Sequence, residues 1–180
     1  MACCSSTTPG CAGRPSRPTR IGDVVSGLSI VVADATAADA GELLTLQRAA
    51  YLSEGELHGD FRIPPLVETL EEVQSVCGDG SVLKALLGTR IVGVVRGLVA
   101  DGTCHIGRLA VAPDLQGRGI GTRLISAIED RYANEVSRFE LFTGPRSEPN
   151  LRLYRRLGYL DIPAPPGREP LVYLEKRVLR

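Results

Sequence analysis

The stretch "RLAVAPDLQGRGIGTRLI", residues 108–125, decides how this chain folds. Its apolar, β-branched beginning completes a predicted strand over residues 103–112, and Pro113 ends that strand. An amphipathic pattern then predicts a helix over residues 119–135. Between strand and helix, glycines stand at alternate positions, namely Gly117, Gly119 and Gly121. The sequence therefore predicts a strand, a glycine-rich turn and a helix in direct succession.

This glycine-rich turn is predicted to bind an anion. The first N–H groups of a helix have no partners within the helix, and that helix end carries a partial positive charge. Glycines remove the side chains that would keep a pyrophosphate at a distance, and Arg118 and Arg123 add positive charge. We therefore expect a phosphate-rich ligand at the N–H groups of residues 116–122. A glycine-rich helix entry without a ligand is the alternative interpretation.

Two common nucleotide-binding patterns do not fit this turn. The phosphate loop GxxxxGK(S/T) is absent from the sequence. The dinucleotide pattern GxGxxG fails because Thr122 stands at the sixth position counted from Gly117. The turn also does not follow the first strand of a β-α-β unit, where the dinucleotide pattern belongs.

Hydrophobic periodicity outward from this stretch gives the remaining elements. Strands are predicted over residues 28–35, 81–88, 91–100, 103–112, 138–144 and 168–179. Helices are predicted over residues 36–51, 64–77, 119–135 and 147–159, with residues 53–63 as a polar connection. Tight turns joining three consecutive strands, followed by a β-α-β unit, predict an α/β fold of the α+β type. Its sheet is mixed and mostly antiparallel, has six to seven strands and carries helices on both faces.

Composition bounds the organisation of the chain. Its 180 residues suit a single domain, predicted over residues 28–180. Residues 1–27 are rich in Ser, Thr, Pro, Gly and Arg without periodicity and are predicted to be disordered. The formal net charge is zero, so the whole chain shows no basic footprint for nucleic acid.

The same composition gives no sign of a membrane span, a signal peptide or a metal site. No apolar run approaches the roughly 20 residues that a membrane-spanning helix needs. The five cysteines include no CxxC pair, and neither histidine falls at zinc-like spacing from them. We therefore expect reduced thiols, no bound metal and a cytoplasmic location.

Two motifs resemble those of the GNAT-fold N-acetyltransferases. Motif A of that family runs Arg or Gln, two residues, Gly, one residue, then Gly or Ala, and Gln116, Gly119 and Gly121 fill it here. Downstream, "PNLRLYRRLGY" resembles motif B, with Asn150, Tyr154 and a Gly-Tyr ending. The order of strands and helices also agrees, and the resemblance covers residues 28–180.

The resemblance implies a site for acetyl-CoA. In this family the strand before motif A leaves its neighbour at a bulge, and the pantetheine arm pairs with the exposed backbone, here Leu109, Ala110 and Val111. The pyrophosphate would lie on the backbone amides of Gln116, Gly117, Arg118, Gly119, Ile120, Gly121 and Thr122. Asn150 is expected either to cap the motif B helix or to contact the cosubstrate.

The chemistry of acetyl transfer calls for groups that handle protons. A lysine-type amine has a pKa near 10.4 and a thiol near 8.5, so at pH 7 the amine must lose a proton and the leaving thiolate must gain one. Tyr154 is the predicted acid, because the family often places a tyrosine there, near the sulfur. The alternative is that Tyr154 is simply an aromatic residue on the apolar face of its helix.

The general base is left open between several residues. His105 has a suitable intrinsic pKa and falls where histone-type members carry their glutamate base; strand alternation places it on one face with Gly107, Leu109 and Val111. Glu68 on the second helix and Glu140 are rivals. The alternative for His105 is a half-buried strand histidine satisfied by hydrogen bonds, and the alternative for Glu68 is a solvated helix carboxylate. Cys104 is expected to point to the opposite face.

The resemblance thus implies an acetyl-CoA-dependent acyltransferase that acts by direct attack of a primary amine, in a small molecule or a peptide. The acidic segment around Glu54, Glu56 and Asp60 would suit a cationic amine. A non-catalytic acyl-CoA sensor is the alternative function. A homodimer is also expected if the last strand pairs at a sheet edge.

Overall fold

The computed structural model describes residues 29–168 and 170–178, and the disorder expected for residues 1–27 lies outside the described residues. Its centre is one seven-stranded sheet in the order β1-β2-β3-β4-β5-β7-β6. Neighbouring strands are antiparallel except for β4 and β5, which run parallel. The strands are β1 (Ile30–Asp34), β2 (Val82–Leu87), β3 (Arg90–Ala100), β4 (Thr103–Val111), β5 (Arg138–Thr143), β6 (Leu160–Ile162) and β7 (Val172–Arg177). The mixed, mostly antiparallel sheet is confirmed.

Helices cover both faces of this sheet. They are α1 (Ala40–His58), α2 (Pro64–Val67), α3 (Leu70–Val76), α4 (Ile120–Tyr132) and α5 (Glu148–Arg156). Ile128 and Tyr132 of α4 lie over Gly97 on one face of β3. The adjacent Arg96 points to the other face, where it reaches Glu68 beside α1. The core between α4 and the sheet includes Leu124, Ile125 and Ile128, which are fully buried.

The first helix is longer than the sequence predicted. Residues 53–58 were expected to belong to a polar connection, but α1 continues through them and ends at Gly59, whose φ of 68° is left-handed. Gly55 lies buried within this last part of the helix, close to Leu66 and Phe61. Tertiary packing therefore holds a polar, glycine-containing segment in a helix that local propensity does not favour.

The expectation of a single second helix over residues 64–77 is also wrong, because this segment forms two separate helices, α2 and α3. Thr69 starts the new helix with a capping box: its hydroxyl accepts from Glu72 N at 3.2 Å, and the Glu72 carboxylate accepts from Thr69 N at 2.7 Å. Glu68 therefore stands between two helices, in an extended conformation. This break directs its side chain toward the sheet.

The C-terminal part of the sheet differs from expectation in one strand. The short strand β6 was not predicted, because three residues before a proline-rich segment carry too little pattern. It pairs with β7, so β7 lies inside the sheet between β5 and β6. The expectation that the last strand offers an open sheet edge is therefore wrong. Among the described residues, no helix is both long and apolar enough to cross a bilayer.

Candidate active site

A cleft opens where β4 and β5 diverge. The two parallel strands pair at three positions, Thr103 with Arg138, Cys104 with Phe139 and His105 with Glu140. Beyond His105, β4 continues without β5 as a neighbour, and a cavity of about 350 Å³ lies beside it. Side chains of α1 and α5 and the first turn of α4 complete its walls.

A bulge in β4 causes this divergence. Gly107 pairs with Arg96 and Ala110 with Val94, so Arg108 and Leu109 together stand opposite Val95. Arg108 takes the left-handed conformation with φ 54°, which is uncommon for a residue other than glycine. An extra residue of this kind bends a strand and changes the direction of the side chains that follow.

The bulge overturns one expectation about side-chain direction. Before the bulge, Cys104 is buried on the α4 face, near Gly97, so its neighbour His105 points to the other face. After the bulge, Leu109 and Val111 lie close to Gly121 of α4. The predicted common face of His105, Gly107, Leu109 and Val111 is therefore wrong, because the additional residue shifts the alternation by one.

The glycine-rich turn forms the end of the cleft at the N-terminus of α4. Gly117 and Gly119 have φ values of 75° and 79°, and a Cβ on either would meet no atom within 4 Å. Along α4, backbone hydrogen bonding begins at Arg123, whose N–H donates to Gly119 O at 3.1 Å. Among the described residues, the N–H groups at positions 120–122 therefore have no backbone acceptor and stay available to a ligand.

The structure brings almost all the predicted cosubstrate-binding residues into this one cleft. Those that line it are Leu109, Ala110, Val111, Gln116, Gly117, Gly119, Ile120, Gly121, Thr122 and Asn150. Arg118 belongs to the same turn but not to the lining. The Gln116 amide donates to Val111 O at 3.3 Å and so ties the turn to the strand.

Tyr154 lies in α5 and, unlike its neighbours Asn150 and Leu153, is not among the residues that line the cleft. It is 6% exposed and packs edge-on against Tyr159, with ring centroids 6.2 Å apart. Burial raises the pKa of Tyr154 far above that of an ordinary phenol, and the nearby Tyr51 and Glu54 raise it further. The hydroxyl is therefore protonated at neutral pH and can donate a hydrogen bond.

Asn150 points into the cleft and does not cap its helix. The N-cap position of α5 belongs to Ser147, and Asn150 lies within the first turn. The Asn150 amide donates to Glu54 Oε1 at 3.3 Å and lies 3.5 Å from Thr143 Oγ1. Of the two uses expected for Asn150, capping is therefore wrong.

His105 is placed away from the cleft. Its side chain is 46% exposed on the open face of the sheet, with Nδ1 at 3.7 Å from the Glu140 carboxylate. Neither residue is part of the cleft lining, and both precede the point where the strands diverge. The structure thus does not bring His105 or Glu140 together with Tyr154.

Glu68 is buried, with 7% of its surface exposed, and is not the solvated helix carboxylate considered from the sequence. It accepts from Gln47 at 2.7 Å, from Arg96 at 3.0 Å and from Arg108 at 3.2 Å. Burial alone would raise the pKa of Glu68, but the hydrogen bonds and positive charges of these partners lower it overall. Its oxygens are occupied, which favours a structural role that holds the bulge residue Arg108.

The comparison with protein families decides the assignment. The model of the Acetyltransferase (GNAT) family matches residues 44–159, well over half of the chain. The chain belongs to the GNAT family. The matched range contains α4, β4 and β5, so the cleft lies in the part that defines a GNAT domain.

Three relatives show how far the GNAT likeness extends. The chain is 29% identical over 124 residues to the UPF0157 protein YqkA of Bacillus subtilis, covering 67% of this chain and 34% of that protein. It is 36% identical over 74 residues to the uncharacterized N-acetyltransferase MJ1530 of Methanocaldococcus jannaschii, a match that covers 40% of this chain and 47% of that protein. The chain thus spans a third to a half of these relatives. The structure of the PaiA N-acetyltransferase of Thermoplasma acidophilum, solved with coenzyme A, superposes with a TM-score of 0.63 at 15% identity. The superposition covers 83% of this chain and 99% of that chain.

Sequence reasoning missed a polar group in the wall of this GNAT cleft. Glu54 and Tyr51 of α1 line the cleft, and Glu54 contacts Asn150 and Ser147 of α5. Tyr51 was the last residue of a predicted helix, but residues 53–58 were assigned to a connection, so the Glu54 side chain had no predicted position. Helical spacing was the available signal, because Tyr51, Glu54 and His58 recur at three and four residues on one side of α1.

Proposed function

We propose that this protein transfers an acetyl group from acetyl-CoA to a primary amine by direct attack. The observation that carries the proposal is the cleft between the diverging strands, which ends at a glycine-lined helix start where the N–H groups at positions 120–122 have no backbone acceptor in the described part of the chain. A pyrophosphate is the ligand that such a helix end prefers. A strand edge without a neighbour suits an extended chain with amide groups, such as pantetheine.

The residues of the cleft fit each part of this cosubstrate. The N–H groups at positions 120–122 would bind the pyrophosphate, and the open space above Gly117 and Gly119 admits it. The backbone of Leu109, Ala110 and Val111 would pair with the pantetheine arm. Two relatives support this assignment, since MJ1530 is named an N-acetyltransferase and the Thermoplasma protein was solved with coenzyme A.

The transfer then needs little covalent chemistry from the protein. The lone pair of the amine attacks the thioester carbon, a C–N bond forms and the C–S bond breaks. Tyr154 donates a hydrogen bond to the departing sulfur, because its raised pKa keeps the hydroxyl protonated. Backbone N–H groups beside the bulge polarise the carbonyl, and alignment of the two reactants supplies the largest share of the rate.

The test combines binding and turnover. Calorimetry with coenzyme A and with ATP measures whether the cleft selects the proposed cosubstrate. Thiol release from acetyl-CoA is then followed with a panel of primary amines: a lysine side chain, a peptide N-terminus, a polyamine and an aminoglycoside. We expect coenzyme A to bind, ATP to bind more weakly and at least one amine to be acetylated. Binding without turnover of any amine would instead favour the sensor function.

A further inference from the structure

One ionisable group of the cleft wall has no role in the transfer described so far. Glu54 lines the cleft from α1, and its carboxylate is held by two residues of α5. The Ser147 hydroxyl donates to Oε2, and the Asn150 amide donates to Oε1 at 3.3 Å. Ser147 is fully buried, so this carboxylate is fixed in position from the protein side while it faces the cleft.

His58 extends this group from the cleft wall toward solvent. Its Nε2 lies 3.6 Å from Glu54 Oε2 and 3.5 Å from Ser147 Oγ. The side chain is 19% exposed, so the ring is in contact with both Glu54 and bulk water. A Cβ at Gly144 would clash with the His58 ring at Nε2, so only glycine at that position leaves the ring where it is.

We propose that Glu54 is the general base that removes a proton from the acceptor amine and that His58 carries this proton to solvent. This inference rests on the proposed acetyl transfer. The ammonium group of the acceptor gives one proton to Glu54, and the freed lone pair attacks the thioester. The second N–H proton leaves after C–N bond formation. One of the two protons ends on the coenzyme A thiol, and the other reaches water through His58. The products are the acetylated amine, coenzyme A and one released proton.

Geometry favours Glu54 over the bases expected from the sequence. Glu68 is paired with two arginines, and both Glu68 and His105 lie outside the cleft lining, whereas Glu54 is part of that lining and has no arginine partner among the described residues. Glu54 lies near two phenols, Tyr51 of the cleft lining and the buried Tyr154, and its charge raises the pKa of both. Among the described residues, the titratable and charged groups near the pair include Tyr51 from α1, Tyr154 from α5 and Arg146, whose guanidinium donates to Leu57 O.

The test uses the pH dependence of the reaction with whichever panel amine gives the highest kcat/KM. Glu54→Gln removes the base and keeps its shape, and Glu56→Gln removes the same charge from an exposed position of the same helix. His58→Ala removes the relay, and Gly144→Ala displaces the ring and leaves it intact. Calorimetry with coenzyme A checks that each variant keeps its donor site.

Without a base, the enzyme depends on amine that is already neutral. At pH 7 this is roughly one molecule in 2,500 for a lysine-type amine but about one in ten for a peptide N-terminus. We therefore expect E54Q to lose about 100-fold or more in kcat/KM at pH 7 with a lysine-type amine but only about tenfold with a peptide N-terminus, and to regain about tenfold per pH unit below the pKa of the amine. We expect H58A and G144A to lose about tenfold each, with added imidazole restoring H58A but not G144A.

The outcomes separate the two proposals. If E54Q binds coenzyme A normally and keeps the rate and pH profile of E56Q, the relay is wrong and acetyl transfer stands. If H58A is not restored by imidazole, His58 is a packing residue only, and its relay role is overturned. If the wild-type protein acetylates no amine of the panel, the acetyl transfer and the relay that rests on it both fall.

Discussion

Glu68 is a single residue that connects three parts of the molecule through one carboxylate. It joins Gln47 of α1, Arg96 of β3 and the bulge residue Arg108 of β4. Because Arg108 holds a left-handed backbone conformation, the ion pair opposes relaxation of the bulge into a regular strand. Removing one partner of such a buried group leaves the opposite charges without compensation.

We expect Glu68→Gln to lower the free energy of unfolding by about 3 kcal/mol at pH 7. The pKa of Glu68 is lowered in the folded protein, so its stabilisation is present above the unfolded pKa of about 4.3 and is lost as pH falls through the folded value. Urea unfolding from pH 7 to pH 3 should show the difference between wild type and variant shrinking below about pH 4.5. A difference that stays constant over this range would contradict the assignment.

Tyr154 gives a second prediction at this scale. We expect Tyr154→Phe to lower kcat/KM for the amine about 100-fold while the affinity for coenzyme A is kept. Because burial raises the pKa of this phenol, wild type should show no alkaline loss from its ionisation up to about pH 10. Tyr159→Phe is the matched control: that hydroxyl donates to Glu129 at 2.7 Å, so its loss affects stability only. Equal turnover by both variants would remove Tyr154 from the mechanism.

Among the elements, the glycine-rich turn and α4 form one functional unit. Gly119 is the N-cap of α4 in the left-handed conformation, and no side chain caps the helix. A capping side chain would occupy the N–H groups that the ligand needs. The turn therefore gives up local helix stability, which a Ser or Asp cap would supply at about 1 kcal/mol, in favour of binding.

Gly119→Ala tests this unit. Alanine in a left-handed conformation costs about 1–2 kcal/mol, and its methyl group enters the open space of the turn. We expect a lower urea midpoint and a KM for acetyl-CoA raised at least tenfold, with the KM for the amine unchanged. Gly59→Ala is the control, because Gly59 is left-handed with φ 68° at the end of α1 and outside the cleft lining. If both variants raise the KM for acetyl-CoA alike, the turn has no specific role.

At the scale of the whole molecule, the sequence predicted the structure best where a residue pattern that is visible in the sequence also forms part of the proposed site. The turn at Gly117 and Gly119 was readable because glycine is required there for backbone reasons that a sequence displays. The course of α1 past Tyr51 was not readable, because buried contacts of Gly55 hold it. Helical spacing could have placed Glu54 on one side of α1 with Tyr51, but the contacts of Glu54 with Asn150 and of Glu68 with the sheet are long-range and leave no local signal in one sequence.

The sheet consists of two halves that the cleft separates. Strands β1 to β4 form the first half and β5 to β7 the second, and among the described residues they pair at three positions of β4 and β5. Glu129 of α4 adds a second link, since it accepts from Tyr159 and from Lys176 of the other half, each at 2.7 Å. A ligand in the cleft would contact α4 and β4 on one side and α5 on the other.

Bound coenzyme A should therefore couple the two halves. Opening of the second half would release the ligand, so at 100 times the dissociation constant the opening free energy rises by about 2.7 kcal/mol. We expect amide hydrogen exchange in β6 and β7, which do not line the cleft, to slow about 100-fold with coenzyme A. Gly119→Ala at the same ligand concentration should show a smaller effect. Protection confined to residues 116–122 would instead show that the halves open independently of the ligand.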